Sequence, residues 1–351
     1  MGSRPIEYTD DVSSAGYSMV IDVRSPTEFA IDHMSGATNL PVLTDEERAR
    51  VGTIYKQENS FTARKLGAAI VSRNIAYMLD GPLRDMDTDF HSLIYCWRGG
   101  QRSASLGIVL SQIGWRTTLL NGGYRTYRRK VVADLEVLPG RYRFVCLSGL
   151  TGTGKTRLLK HMKAQDCQVL DLEGLAEHRG SLLGYMPGAQ QPLQKQFESR
   201  LWNALRSFDA TRPVWVESES YKIGALSCPT EVWRVLRQAT RVRIETPMAA
   251  RVLLLLEDYA HFLDSPENLL ETIHPLKELH GKEKVEHWTE LVNGEAWTDF
   301  IQDMLEVHYD PAYRRSLKRH GGEEQHHLPL ECHDHVALAG AAAWCESKFG
   351  K

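Results

Sequence analysis

The chain of 351 residues has no apolar run long enough to cross a bilayer; the longest are 252–256 and, across one glycine, 336–345. Its first twenty residues are polar and include Asp10 and Asp11, so no secretory leader is expected there. Cysteine is scarce and scattered, six residues with no C-x-x-C pair, which argues against a disulfide scaffold and fits a reducing, cytoplasmic setting. Low-complexity tracts and internal repeats are missing. Neither charge is in excess: 42 Lys and Arg stand against 45 Asp and Glu, a net of −3. The overall charge therefore does not mark a nucleic-acid binder, and any such surface has to come from local basic patches. The length is enough for two full cores.

What the chain does have is two glycine-containing loops, each after an apolar strand pattern. The first is Tyr95-Cys96-Trp97-Arg98-Gly99-Gly100-Gln101-Arg102-Ser103, followed by a helix pattern to Ile113. Main-chain N–H groups of such a loop at a helix N-terminus form an anion cradle. The same field lowers a thiol's pKa. Cys96 is expected as a thiolate nucleophile, with Arg98 and Arg102 as countercharges and Gly99, Gly100 and Gln101 lining the cradle. A cysteine after a strand is otherwise a small core residue, which is the reading for Cys146.

The second loop, Gly149-Leu150-Thr151-Gly152-Thr153-Gly154-Lys155-Thr156, satisfies G-x-x-x-x-G-K-[ST] between a strand and a helix pattern. Its glycines let the backbone wrap a phosphate, Lys155 supplies a point charge, and Thr156 can ligate magnesium. The strand Val214-Trp215-Val216-Glu217 ends in Glu where a nucleotide hydrolase has Asp. Glu217 and Glu219 are candidates for a metal or a base, beside the plain alternative of solvated carboxylates. ATP is not required by this pattern, since any diphosphate uses the same cradle.

Strand patterns at 18–23, 93–95 and 117–120, with a further short strand that 36–41 leads into, alternate with helices, including a mostly helical stretch from 44 to 79. This implies a parallel sheet with helices on both faces. Leu138-Pro139-Gly140 is the expected boundary, giving domains 1–138 and 139–351. Beyond it, strands are expected at 144–148, 168–172, 213–217 and 240–245. Leu193, Phe197, Leu201 and Leu205 mark one buried helix face. From Pro247 to His308 nearly everything reads as helical, with Trp288, Leu291, Val292, Phe300, Ile301 and Met304 as core. A polar link carrying His326, His327, His333 and His335 leads to a last helix, 336–349.

The strings Asp22-Val23-Arg24-Ser25-Pro26-Thr27-Glu28-Phe29, Gly36-Ala37-Thr38-Asn39-Leu40-Pro41, the Cys96 loop and Gly122-Gly123-Tyr124 resemble a rhodanese domain. The loop departs from the common rhodanese C-x4-R: Cys96 to Arg102 is C-x5-R, the length found in cysteine-dependent phosphatases, and the wider cradle suits a phosphate-sized anion. Further strings follow in order: 171–181 (D-L-E-G-L-A-E-H-R-G-S), Gln196-Phe197-Glu198, Glu217-Ser218-Glu219-Ser220 and His308-Tyr309-Asp310-Pro311-Ala312-Tyr313. Over nearly the whole chain these resemble the tRNA 2-selenouridine synthase family, with Tyr221 standing where the family pattern has an arginine.

The resemblance implies an α/β chain, a rhodanese-like parallel-sheet domain followed by a P-loop NTPase-like domain with a helical C-terminal region. It implies a substrate, tRNA with 2-thiouridine at the wobble position, and two co-substrates, geranyl diphosphate and selenophosphate. The sulfur is geranylated and then replaced by selenium, with Cys96 attacking selenophosphate to give an S-selanyl cysteine. The glycine loop would hold the diphosphate with Mg²⁺; His178, Arg179 and Ser181, which follow an expected strand end and a glycine, either line that site or mark a capped helix start. Phe197, Trp202 or the helical region would house the geranyl chain. The enzyme that makes selenophosphate is an expected partner, and no membrane is involved. Arg125, Arg128, Arg129 and Lys130, with Arg314, Arg315, Lys318 and Arg319, are candidate tRNA contacts or solvated helix faces. Competing readings are a cysteine-dependent phosphatase, a small-molecule kinase with a regulatory rhodanese module, and a non-enzymatic sulfur-sensing or partner-binding module.

Overall fold

A computed structural model describes residues 2–179, 190–218, 220–263, 265–320 and 326–350. The chain divides into two compact units, one of residues 1–134 with 192–203, the other of 135–191 with 204–351.

The first unit is built on a five-stranded sheet of β1 (Glu7–Thr9), β2 (Met19–Asp22), β3 (Ala37–Asn39), β4 (His91–Tyr95) and β5 (Arg116–Leu120), in the order β1-β5-β4-β2-β3. All its pairs are parallel. The expected strands are present, and β1 is an addition: three residues, mostly exposed, too short to show a period. The stretch 44–79 resolves into two helices, Asp45–Gln57 and Ser60–Asp80, whose N-terminal amides are capped by the side chains of Thr44 and Asn59. From β2 the chain passes to β3 on one side, then crosses to β4 on the other. The carboxyl ends of β2 and β4 therefore lie at a topological switch point, where ligands of such sheets bind.

Residues 192–203 belong to this unit through buried contacts. Trp202, 1% exposed, donates its indole N–H to Asp134 at 2.8 Å and packs edge-on against Tyr127. Arg128 pairs with Glu198 and reaches the Lys195 carbonyl. Phe197, Leu201 and Leu205 are fully buried as the four-residue spacing predicts, but Leu193 is 54% exposed. It precedes the first helical residue, Gln194, and so falls outside the periodic face.

The second unit has a parallel sheet of β6 (Phe144–Ser148), β7 (Gln168–Leu170), β8 (Val214–Glu217), β11 (Thr240–Glu245) and β12 (His326–Pro329), in the order β12-β11-β6-β8-β7. A small antiparallel pair, β9 (Lys222–Ile223) and β10 (Leu226–Ser227), lies between β8 and β11 in sequence. The expected polar link thus contains an edge strand: His326 and His327 pair with Val242 and Arg243. Two consecutive histidines give no hydrophobic alternation to reveal it. Val145, Leu147, Leu158, Met162, Val242, Ile244, Leu338 and Cys345 share one core. The helical region has its own core around Trp288, Val292, Phe300 and Met304, with Leu291 and Ile301 partly buried beside it. No helix among the described residues is long and apolar enough to cross a membrane.

Trp202→Ala should lower the stability of the first unit by about 3–5 kcal/mol, read as lost hydrogen-exchange protection in β4 and β5. Unchanged protection there would detach residues 192–203 from that core.

Candidate active sites

Cys96 follows the last residue of β4 and precedes the helix Gln101–Ile113, which begins from Gly100. Two glycines fix the loop between them. Gly99 has φ +65°, and a Cβ there would stand 2.7 Å from the Gly122 nitrogen. A Cβ on Gly123 would stand 2.1 Å from the Cys96 carbonyl oxygen, which accepts the Tyr124 N–H at 2.8 Å. The Gly-Gly turn after β5 is therefore the surface on which the cysteine loop rests.

The thiol is 3% exposed, yet it is surrounded by donors. Its Sγ accepts the Gly100 N–H at 3.2 Å and the Ser103 hydroxyl at 3.3 Å. Burial pushes the Cys96 pKa up, but the Ser103 hydroxyl and the amides of Ser103, Arg98 and Gly100 outweigh it and hold the pKa below that of a free thiol. The neighbouring helix N-terminus acts in the same direction. Cys228 and Cys345, buried without such donors, are instead pushed up to about 12.

Sequence reasoning missed the layer beneath this loop. Arg24, 1% exposed, donates to Asp22 from Nε at 3.0 Å and from Nη2 at 2.6 Å, and to the Asp32 carbonyl at 2.7 Å. Its guanidinium lies 4.0 Å from the centre of the Tyr124 ring, which stacks on Trp97. Tyr124 donates to the buried Asp32 carboxylate at 2.7 Å. The signal was the string from Asp22 to Phe29, read only as a family mark. The two predicted arginines separate: Arg98 is exposed, as are Gly99, Gly100 and Gln101, while Arg102 is tied to Glu28 at 2.8 Å. Burial alone would raise the Glu28 pKa; Arg102, Arg48 and the Ser25 amide hold it below the ordinary carboxylate range.

In the second unit the glycine loop leaves β6 with Gly149, Gly152 and Gly154 at φ +148°, +80° and +84°. A Cβ on Gly149 would meet the Thr153 Oγ1 at 2.7 Å and the Ile244 carbonyl at 2.8 Å. Lys155 Nζ donates to the carbonyls of Gly149 and Leu150 and lies 3.5 Å from Glu217. The Thr156 hydroxyl donates to Glu217 at 2.8 Å. Hydroxyl and carboxylate together make a hard oxygen pair of the kind magnesium takes. Glu219 and Ser181 lie outside the described residues.

The loop is supported from the helical region by residues the sequence did not single out for a role. Arg251, 3% exposed, donates its Nε to the Thr151 carbonyl at 2.8 Å and pairs with the buried Asp310 at 2.6 and 3.0 Å. The Gly149 N–H donates to the Tyr313 hydroxyl at 2.9 Å. Thr151 also borders an apolar cavity walled by Leu255, Leu256, Tyr259, Phe300, Met304 and Tyr309 among others. Arg179 donates to the Asp258 carbonyl at 2.8 Å, its guanidinium 4.9 Å from the Tyr259 ring centre, so it stands by the cavity wall. His178 is partly buried, which lowers its pKa. Phe197 and Trp202 fill core positions in the first unit, and the helical region provides the cavity. Among the described residues no three or more His, Cys, Asp or Glu are placed to hold a metal.

These features define a class: a rhodanese-like domain with a cysteine loop at a helix N-terminus, joined to a P-loop domain with an apolar cavity beside its glycine loop. Residues 6–130 match the rhodanese-like domain model, and residues 142–268 match that of the tRNA 2-selenouridine synthase AAA domain. The tRNA 2-selenouridine synthase of Marinobacter nauticus is 32% identical, the match covering 92% of this chain and 95% of that one. That of Bdellovibrio bacteriovorus is 31% identical over 86% of this chain and 89% of its own. The Nitrosomonas europaea protein of the same name is 38% identical over 68% of this chain; there the match spans 63% of the relative's length. The chain belongs to the tRNA 2-selenouridine synthase family.

Ser103→Ala should move the Cys96 titration upward by about one pH unit, since a hydrogen bond to a charged group contributes about 1.5–3 kcal/mol. The ultraviolet thiolate absorbance of the protein minus that of Cys96→Ser checks it. A midpoint that stays put would remove the hydroxyl from the thiolate's support.

Proposed function

We propose that this chain replaces the sulfur of wobble 2-thiouridine in tRNA with selenium through an S-geranylated intermediate. The observation that carries the reading is the apolar cavity bordered by Thr151 of the phosphate loop, a match for a diphosphate bearing a hydrocarbon tail. The loop amides, Lys155 and Thr156 hold the diphosphate, with Glu217 and Thr156 as the residues for a magnesium ion, which would neutralise charge on the leaving group. The thiocarbonyl sulfur forms a bond to the first carbon of the geranyl chain, the carbon–oxygen bond breaks, and diphosphate leaves with the electron pair. The proton on the uracil N3 is lost to solvent.

Alkylation makes the sulfur a better leaving group. Cys96, in its thiolate form, attacks the phosphorus of selenophosphate, whose phosphate charge is met by the loop amides, Arg98 and Arg102. The phosphorus–selenium bond breaks and selenium leaves with the electron pair as hydrogen selenide, in place of the expected S-selanyl cysteine, which would need an oxidant. The selenide attacks C2 of the base, the carbon–sulfur bond breaks to release geranylthiol, and water hydrolyses the S-phosphocysteine to phosphate and the free thiol. The setting is the cytoplasm, where the enzyme that makes selenophosphate is the expected supplier. A phosphatase would leave the glycine loop and the cavity without a purpose.

The test is mass analysis of wobble nucleosides after incubation with thiolated tRNA, geranyl diphosphate and selenophosphate. Lys155→Ala should slow geranylation by about a hundredfold or more while still selenating tRNA supplied already geranylated. Cys96→Ser should do the reverse and accumulate the geranylated base. Selenouridine made by Cys96→Ser at the normal rate would end the covalent role of the thiol. Leu256→Trp, which narrows the cavity at a partly exposed wall, should raise the KM for geranyl diphosphate about tenfold, the effect of losing one or two methylene contacts, with kcat for selenation of geranylated tRNA unchanged.

A further inference from the structure

We propose that Trp97 is the platform on which the wobble base stacks beside Cys96, with Arg98, Arg125 and Arg129 meeting the phosphates on either side; this rests on the reading of the thiol loop as the selenium-transfer site. Trp97 is the residue after the thiolate and is only partly buried, although both Tyr95 and Cys96 before it are buried. One side of its indole is covered: the ring stacks on Tyr124 with centroids 5.2 Å apart and planes 29° apart, and Tyr124 is itself 3% exposed. The Arg24 guanidinium sits 5.9 Å from the indole centre. The ring is therefore held in orientation from below, and its remaining exposure lies away from Tyr124. No hydrogen-bond acceptor for its indole N–H occurs among the described residues. A rigid, half-covered aromatic beside a nucleophile is what reading a base from a single-stranded loop requires, because every base has a π face to place on it.

The charges around it fit the same ligand. Arg98 follows Trp97 directly and is exposed. The Arg125 N–H donates to the Trp97 carbonyl at 3.3 Å, and the Arg125 side chain is exposed. Arg129, one helical turn on and also exposed, bonds among the described residues only the Thr126 hydroxyl and the Arg125 carbonyl. None of the three has a carboxylate partner among the described residues, whereas Arg128 is spent on Glu198 and Lys130 on Asp134. The basic cluster legible in the sequence thus splits, and the half left to solvent belongs to the helix that starts at the loop's resting surface. Phosphate contacts position a nucleic acid and stacking places the base.

The experiment measures binding of a labelled anticodon stem-loop RNA carrying 2-thiouridine at the wobble position, together with the Cys96 titration and selenouridine formation. Trp97→Ala should weaken binding about ten- to a hundredfold, the range of base–aromatic stacking, with the thiolate midpoint unchanged, and Trp97→Tyr should recover most of the loss. Arg125→Gln and Arg129→Gln should each weaken binding and reduce the slope of log K against log salt by about one. Unchanged RNA affinity in Trp97→Ala overturns the proposal. So does a thiolate midpoint that shifts with it, which would make Trp97 a prop for the loop. If the RNA results hold but no selenium enters the base in the unmodified protein, the platform stands and the selenium-transfer reading falls.

Discussion

A parallel strand that ends under the start of a helix leaves main-chain N–H groups aimed at one point with no carbonyl of their own to meet. This chain uses that consequence of backbone geometry twice. At the end of β4 the point is occupied by a sulfur atom of the protein itself; at the end of β6 lies the loop proposed to hold a phosphate. Glycine is required at both places because the turn must pass through left-handed φ while other backbone lies within 3 Å of where a Cβ would be. On the proposed reading the same arrangement serves a nucleophile in one unit and a leaving group in the other, the difference being whether the residue after the strand is Cys96 or Gly149.

Cradles of this kind are only as good as what holds them still. Under the thiol loop the support is charged and buried: Arg24 against Asp22, with the stacked rings of Tyr124 and Trp97 both beside the Arg24 guanidinium. Breaking such a pair by removing one partner costs about 3–5 kcal/mol, since the other charge stays buried alone. Under the phosphate loop the corresponding element is Arg251, which binds a loop carbonyl with one edge and Asp310 with the other. In both cases a guanidinium is chosen over an ammonium because its fork satisfies a carboxylate and a carbonyl at fixed angles.

These supports explain how much was legible in the sequence. The loops themselves were, because their chemistry needs particular residues at particular spacing: a cysteine with two glycines and two arginines, or G-x-x-x-x-G-K-T. The strands β2, β4, β6 and β8 were, because burial on both faces writes a short apolar run, and β11 was through the alternation of Val242 and Ile244 with polar residues. Glu28, Asp310 and Tyr313 were visible as letters but silent as roles, since their partners are distant in sequence: Arg102 for Glu28, Arg251 for Asp310, Gly149 for Tyr313. The edge strands β1 and β12 were illegible for a different reason. An edge is specified by its neighbour's unpaired N–H and C=O groups more than by its own side chains, so Glu7-Tyr8-Thr9 and His326-His327 carry little pattern of their own.

The two steps proposed for this chain ask for opposite surroundings, which would be a physical reason for two sheets. Ionisation of an allylic diphosphate is best served by a dry hydrocarbon wall around the carbon and concentrated positive charge on the departing oxygens, the part the proposal gives to the cavity and Lys155. Water at that carbon would divert it to an alcohol. The thiolate's needs differ: a polyanionic RNA has to arrive and leave, so its rim must be hydrated and basic, with attraction that salt can loosen. A single pocket could not be apolar enough for the first and wet enough for the second. Placing each at the end of its own parallel strand lets every cradle keep the same backbone solution while the side chains around it, Tyr259 and Phe300 in one case, Arg98 and Arg125 in the other, set the medium in which it works.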